Sequence, residues 1–169
     1  MEKSPEACLH RYLEAESLLH HFYTYFDYCT AVCIPRLLSL TPGLPVAACC
    51  RDRYHTIYDL DHPSFDLLRS RRHELYGKPE NQPENSGVSP CEYHGSTGCR
   101  LKDHKSPVCL GFMCRPAIDY LRKKHAIFTY DYLGFHYALE WILTGDMPPA
   151  DWDIFRKSLE TMIRTIKKD

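Results

Sequence analysis

The chain has 169 residues, enough for one domain that buries a sizeable core without disulfide staples. Its 21 basic and 22 acidic side chains leave a net charge of -1 with no long basic run, which argues against a nucleic-acid partner. The first residues are charged and carry no apolar h-region, and no apolar run approaches the roughly 18 residues that span a bilayer. A cytosolic protein without a membrane role is expected.

In chain order, Leu9, Tyr12, Leu13, Leu19, Phe22, Tyr23 and Phe26 recur at three- and four-residue intervals and predict an amphipathic helix over about Pro5 to Phe26, with Glu16 and His20 on or beside its apolar stripe. A second helix is predicted from Tyr28 to Leu40, with Cys29 and Cys33 one turn apart on the same face and Pro35 as a kink. The TPGLP stretch from Thr41 to Pro45 forces a turn and delivers the vicinal pair Cys49-Cys50. A polar run follows with Tyr54, His55, Tyr58, Asp59, Asp61 and His62. Ser64 then reads as the cap of a helix from Phe65 to about Tyr76, with Leu67, Leu68, Arg71 and Leu75 on one face and Gly77 past its end. Lys78 to Pro90 reads as a solvated loop. Beyond the cysteine-rich block, helices are predicted from Pro116 to about His125, from Asp131 to Thr144 (burying Tyr132, Phe135, His136, Leu139 and Leu143), and through Trp152, Phe155, Leu159, Met162, Ile163 and Ile166. The expected fold is mainly α: a single helical domain over residues 1–169, of about six helices, with long cysteine-bearing loops (49–114) enclosing a metal site.

The chemistry lies in the cysteines. Nine occur, an odd number in a chain expected in a reducing compartment, where clustered thiols bind metal or do redox chemistry more often than they pair. Four of them, Cys91, Cys99, Cys109 and Cys114, fall within CEYHGSTGCRLKDHKSPVCLGFMC, a segment rich in glycine and turn residues and unlike a core element. Gly95 and Gly98 give the backbone freedom that converging thiolates need, and Lys105 adds a cation nearby. Of the successive gaps of seven, nine and four residues, only the last is close to a zinc knuckle, whose cysteines stand two to four residues apart, and the wider ones suit a cubane whose irons face separate loops. Zinc stays open as the alternative. Cys8, Cys29 and Cys33, taken singly, read as small buried hydrophobes, and Cys8 as the spare thiol.

The order of a CC pair, a cysteine, a glycine-cysteine step, nine residues with a basic residue and a proline, and a further cysteine resembles the zinc- or iron-chelating cysteine-cluster family, the YkgJ-like proteins. The family's closing piece has a cysteine, an aliphatic residue, a tyrosine, an Arg-Pro step and a cysteine. Here Cys99 and Cys109 bracket the same nine-residue gap, Leu101 stands for the aliphatic residue, Lys105 for the arginine and Lys102 for the tyrosine, and the proline is displaced by one, to Pro107. The family opens on a tight cysteine motif, whereas the cysteines preceding Cys49 here are Cys29 and Cys33. The resemblance spans Cys49 to Cys114. It implies ligands at Cys49 or Cys50, Cys91, Cys99 and Cys109, with Cys114 as a further candidate, and leaves open a second site that includes Cys29 and Cys33.

Two other groups could carry chemistry. Glu16 with His20 and His136 with Glu140 form Glu/His pairs at four-residue spacing, a geometry that can place ligands on facing helices, although the Glu-x-x-His pattern of di-iron bundles is absent. The tyrosines and histidines after Cys50 could move protons or bind substrate. The leading expectation is therefore an iron–sulfur protein, 4Fe-4S in type, acting in electron transfer, redox sensing or activation of a small substrate, with a redox protein or small molecule as partner. The alternatives are a zinc-stabilised interaction module and an enzyme, of oxidoreductase class if the cluster takes part, whose Tyr and His residues work beside a Lewis-acid metal.

Overall fold

A computed structural model of the chain describes residues 4–40, 42, 60–81, 91–95, 98–130 and 132–168. Cys49, Cys50, Tyr54, His55, Tyr58, Asp59 and Asp131 lie outside the described residues. The described chain is mainly helical, as the periodicity predicts.

Helix α1 (Pro5–Tyr25) starts where Ser4 accepts the Ala7 N–H at 3.2 Å and Pro5 sets the first turn. Its stripe of Leu9, Tyr12, Ala15, Leu19 and Phe22 is buried, and so are Cys8 and Glu16. The single helix expected from Tyr28 to Leu40 is divided. Cys29–Cys33 form a π-helical turn, in which the Ile34 N–H reaches back to the Cys29 carbonyl, and α2 (Ile34–Leu40) continues from it. Pro35 has no N–H to give to the Ala31 carbonyl, so the α-helical ladder is interrupted where the wide turn forms.

Helix α3 (Pro63–Tyr76) corrects the sequence reading twice. Its cap is His62, whose Nδ1 accepts the Ser64 N–H at 3.2 Å, and Ser64 itself is buried in the first turn behind Pro63. Its inward face is Phe65, Leu68 and Arg72, while Arg71 and Leu75 are exposed. Leu67 is half-buried beside the core, so the true stripe is turned by about one residue and brings a guanidinium inside. Gly77 ends the helix at φ 79°, as expected from its position.

In the cysteine block, β1 (His94–Gly95) and β2 (Gly98–Cys99) pair antiparallel, His94 opposite Cys99. The block also contains a short helix, α4 (Pro107–Gly111), capped by Ser106, whose hydroxyl accepts the Cys109 N–H at 3.3 Å. Seven α-helices are thus described in place of about six. Helix α5 (Arg115–His125) follows, with Cys114 at its cap position and Ala126 closing it at φ 51°. Helices α6 (Tyr132–Thr144) and α7 (Pro149–Ile166) complete the chain, Gly145 turning between them at φ 85°. Phe135, His136, Leu139 and Leu143 of α6, and Leu159, Met162, Ile163 and Ile166 of α7, are buried as predicted, with Trp152 and Phe155 packed at the core's edge.

One main core joins α1, α3, α4, α5, α6 and α7. α1 packs against α6, α7 and α3, and α4 lies on α6. That last approach is close: a Cβ on Gly111 would stand 3.2 Å from the His136 nitrogen. Hydroxyls hold the other side of α4, with Tyr130 donating to the Gly111 carbonyl at 3.0 Å and Tyr23 to the Leu110 carbonyl at 3.2 Å. α4, and Cys109 with it, is thereby held against α6. Among the described residues no helix is long and apolar enough to cross a membrane.

Candidate functional site

Cys91 stands just before the small hairpin, Cys99 ends it, and Cys109 lies on α4. Cys91 is buried with Tyr93 and Leu101 in a satellite core against which Tyr76 packs. Its carbonyl accepts the His94 N–H at 3.0 Å, which tightens the turn into β1. Cys99 is exposed at the end of β2, and Cys109 sits half-buried on α4. Burial pushes the Cys109 thiol up to about 11; Ser106 and the Arg72 guanidinium draw it down, and the charges of Cys91 and Cys99 push it up again. Cys91, Cys99 and the buried Arg72 all bear on the Cys109 thiol.

What positions this set is a polar clamp on residues 102–105. Glu16, almost fully buried in α1, accepts the His104 N–H at 2.8 Å and the Lys105 N–H at 3.2 Å through its two oxygens. Tyr12 donates to the Lys105 carbonyl at 2.7 Å, and Arg72 Nε donates to the His104 carbonyl at 2.7 Å. Tyr76 accepts the Lys102 and Asp103 N–H groups and donates to Asp103 Oδ1 at 2.6 Å, an oxygen that His104 Nδ1 also meets at 2.8 Å. His104 is held in the left-handed region at φ 57°, a conformation a non-glycine residue keeps only when its surroundings fix it. The sequence reading missed Arg72, Tyr76 and Asp103 altogether. Only Glu16, as an acidic residue on an otherwise apolar stripe, gave a signal that something polar is buried there.

Burial raises the Glu16 carboxyl to about 7, against the opposing pull of Lys105 and of the two backbone donors. Burial and the Lys105 charge lower His20, whose Nε2 meets Lys105 Nζ at 3.0 Å. Burial alone would raise Asp103, but the hydrogen bonds from Tyr76 and His104 outweigh it and hold the carboxyl low. Lys105 does not serve as the cation of the thiol group. Its ammonium goes to His20, to the Lys102 carbonyl at 2.8 Å and toward Glu16 at 3.9 Å. Arg72 takes that place.

Cys114 keeps different company. A run of rings leads from α6 to the π-helical turn: Phe135 on Tyr130 at 4.4 Å, Tyr130 on Phe22 at 5.8 Å, Phe22 on Phe26 at 5.6 Å, Phe26 on Tyr28 at 6.4 Å and Tyr28 on Tyr120 of α5 at 5.1 Å. This seats Cys29 and Cys33 beside the start of α5, where Cys114 stands. Burial, then the charges of Cys114 and Cys33, raise the Cys29 thiol. Cys29 is exposed, and Cys33 and Cys114 are half-buried, so the expectation of Cys29 and Cys33 as core thiols does not hold. Cys8 does fit that expectation, at 2% exposed.

Among the described residues no three His, Cys, Asp or Glu side chains converge closely enough to share a metal ion. The donors are nonetheless of the right chemistry, two sets of three thiols, and cysteines 49 and 50 are outside the described residues. The Glu/His pairs stay local: His20 lies 3.7 Å from Glu16 and His136 2.9 Å from Glu140, with Glu16 serving the loop clamp. Asp61 is exposed and His62 is the α3 cap. Two neighbouring cavities, of about 600 and 540 Å³, lie along α7 and between α6 and α7, and neither is lined by a cysteine. No family model, no curated protein and no solved structure matches this chain.

Proposed function

We propose that the chain holds an iron–sulfur cluster on Cys91, Cys99 and Cys109, with Cys49 or Cys50 as the further ligand, and that it works in electron transfer, redox sensing or activation of a small substrate at that cluster. The observation that carries this reading is the loop between Cys99 and Cys109, which α1 and α3 pin in one shape, with Arg72 buried against it. The wide spacing of these cysteines in sequence favours a cluster over a single tetrahedral ion, because a cubane meets each ligand at a separate iron. The YkgJ-like resemblance supports the same set.

When bound, such a cluster supplies a one-electron couple. The chain's own residues set its surroundings. Arg72 lends a positive charge that favours the thiolate form of Cys109. Tyr93 and Leu101, both buried, shield Cys91 from water on the inner side, while the exposed Cys99 leaves the outer side accessible to a redox partner or a small molecule. Glu16 keeps the loop between Cys99 and Cys109 in one shape without touching either.

Anaerobic purification tests the proposal. The protein should be brown, absorb broadly at roughly 400 nm, and contain iron with acid-labile sulfide. Colourless protein carrying stoichiometric zinc would overturn the reading in favour of a zinc-stabilised module.

A further inference from the structure

We infer that the outer face of α7 is a docking surface for a second copy of this chain, packed α7 against α7 about a two-fold axis at Ile154. The face is apolar and open. Phe128 and Ile154 are 68% and 66% exposed, and Tyr137 and Trp141 of α6 are each more than half exposed beside them. The two cavities of about 600 and 540 Å³ run into each other along this face, with Thr129, Ile154 and Ser158 as shared walls. Phe128 belongs to the half of the groove that reaches Thr165, and Trp141 to the half that reaches Asp151. Single exposed apolar residues are ordinary on a protein surface, whereas four large ones along one groove mark a place where something binds.

The charges name the occupant. Asp151 and Lys157 both line the groove, three residues before and three residues after Ile154 on one helix. Each therefore stands about 4.5 Å along the axis from Ile154, in opposite directions. A two-fold axis through Ile154 and perpendicular to α7 reverses the second helix, so Asp151 of each copy meets Lys157 of the other and Ile154 meets itself. The same rotation sets Ser158 opposite Ala150, small side chains that let the two helices approach closely. It also lays the Phe128 half of one groove over the Trp141 half of the other, so that rings meet rings.

The next charges along the helix are already used, Asp153 and Arg156 lying 3.7 Å from each other. Among the described residues, Asp151 and Lys157 have no such pairing within the chain. A partner carrying one sign of charge would answer only one end of this groove, whereas a second copy answers both ends at once. The contact is the same patch on both copies and closes on itself, so it makes a dimer and goes no further. No residue of the face belongs to the loop between Cys99 and Cys109, and the outcome does not depend on the iron–sulfur reading.

The test is the mass of the full-length protein in reducing buffer, followed by light scattering and sedimentation over a dilution series. A dimer that dissociates to single chains is expected. Ile154→Asp should leave only single chains while circular dichroism stays unchanged, because a side chain this exposed holds none of the core. Asp151→Lys and Lys157→Asp should each raise the dissociation constant by about tenfold or more, since each sets like charges face to face twice in the dimer. The double variant Asp151→Lys/Lys157→Asp should bring it back to within about threefold of the original, because the exchange rebuilds both pairs with their signs reversed. Single chains at every concentration would assign the groove to a different partner and overturn the inference. A dimer that Ile154→Asp leaves intact, or single reversals that the exchange does not rescue, would overturn it as well.

Discussion

Cys109 lies within α4 and Cys114 three residues past its end, yet their neighbourhoods are built by different means. The loop between Cys99 and Cys109 is held by polar groups: a buried carboxylate, a buried guanidinium and two tyrosine hydroxyls that satisfy the backbone of residues 102–105. The π-helical turn of Cys29 and Cys33 is held against α5, which begins after Cys114, by a run of aromatic rings that continues the main core outward. Polar clamps are directional and fail when one donor or acceptor is lost, because the remaining group is left buried and unanswered. Ring packing is additive and degrades gradually. The two regions should therefore respond differently to the same kind of substitution.

The largest contrast is expected from the ligands themselves. Cys109→Ser or Cys99→Ser should remove essentially all iron and sulfide from anaerobically purified protein, whereas Cys114→Ser and Cys8→Ser should retain them; equal loss in Cys109→Ser and Cys114→Ser, measured by iron analysis, would merge the two sets into one.

Next comes Glu16→Ala. It leaves the His104 and Lys105 N–H groups without their acceptor and should destabilise the fold by about 3 kcal/mol in a denaturant titration. The same variant should speed alkylation of Cys99 and Cys109 while Cys29 and Cys114 react as before.

A pH series probes the same clamp. The Glu16 carboxyl titrates near 7 in the fold and near 4.5 when unfolded, so the folded state binds the extra proton between those values. Its stabilising contribution is complete below about 4.5 and is lost as pH rises through 7, by roughly 3 kcal/mol in all. Glu16→Gln should flatten that slope, read as the change in denaturation midpoint between pH 5 and pH 8. An unchanged slope would show that another group carries it.

The smallest effect is on the aromatic side. Tyr28→Ala removes two ring contacts and should cost about 1 kcal/mol beyond lost area, raising the alkylation rate of Cys29 and leaving Cys99 untouched.

The helices were legible in the sequence wherever an apolar stripe runs long enough to show its period, as in α1, α5, α6 and α7. Helix α4 was not, because five residues cannot display a period; its only marks are Ser106 and Pro107, a cap followed by a first-turn proline. The face of α3 was misread because Arg72 counts as a surface residue on any hydrophobicity pattern, although its carbonyl partner and the nearby thiols make it an interior one. The docking of the π-helical turn on α5 was hidden for a related reason: it rests on the contact between Tyr28 and Tyr120, which are far apart in the chain and meet only once the fold exists. Glu16 was noticed, but as a metal ligand; its partners at His104 and Lys105 have no local trace.

The position of α1 also bears on the order of events during synthesis. Its apolar stripe packs on α6 and α7 as well as on α3, so a chain growing from its N-terminus carries part of that stripe uncovered until residues 132–166 have left the ribosome. Glu16 on the same helix finds its partners earlier, once Lys105 has emerged. The loop between Cys99 and Cys109 can thus be captured by α1 while most of the core is still unmade, which would shape the thiol loop before the C-terminal helices arrive.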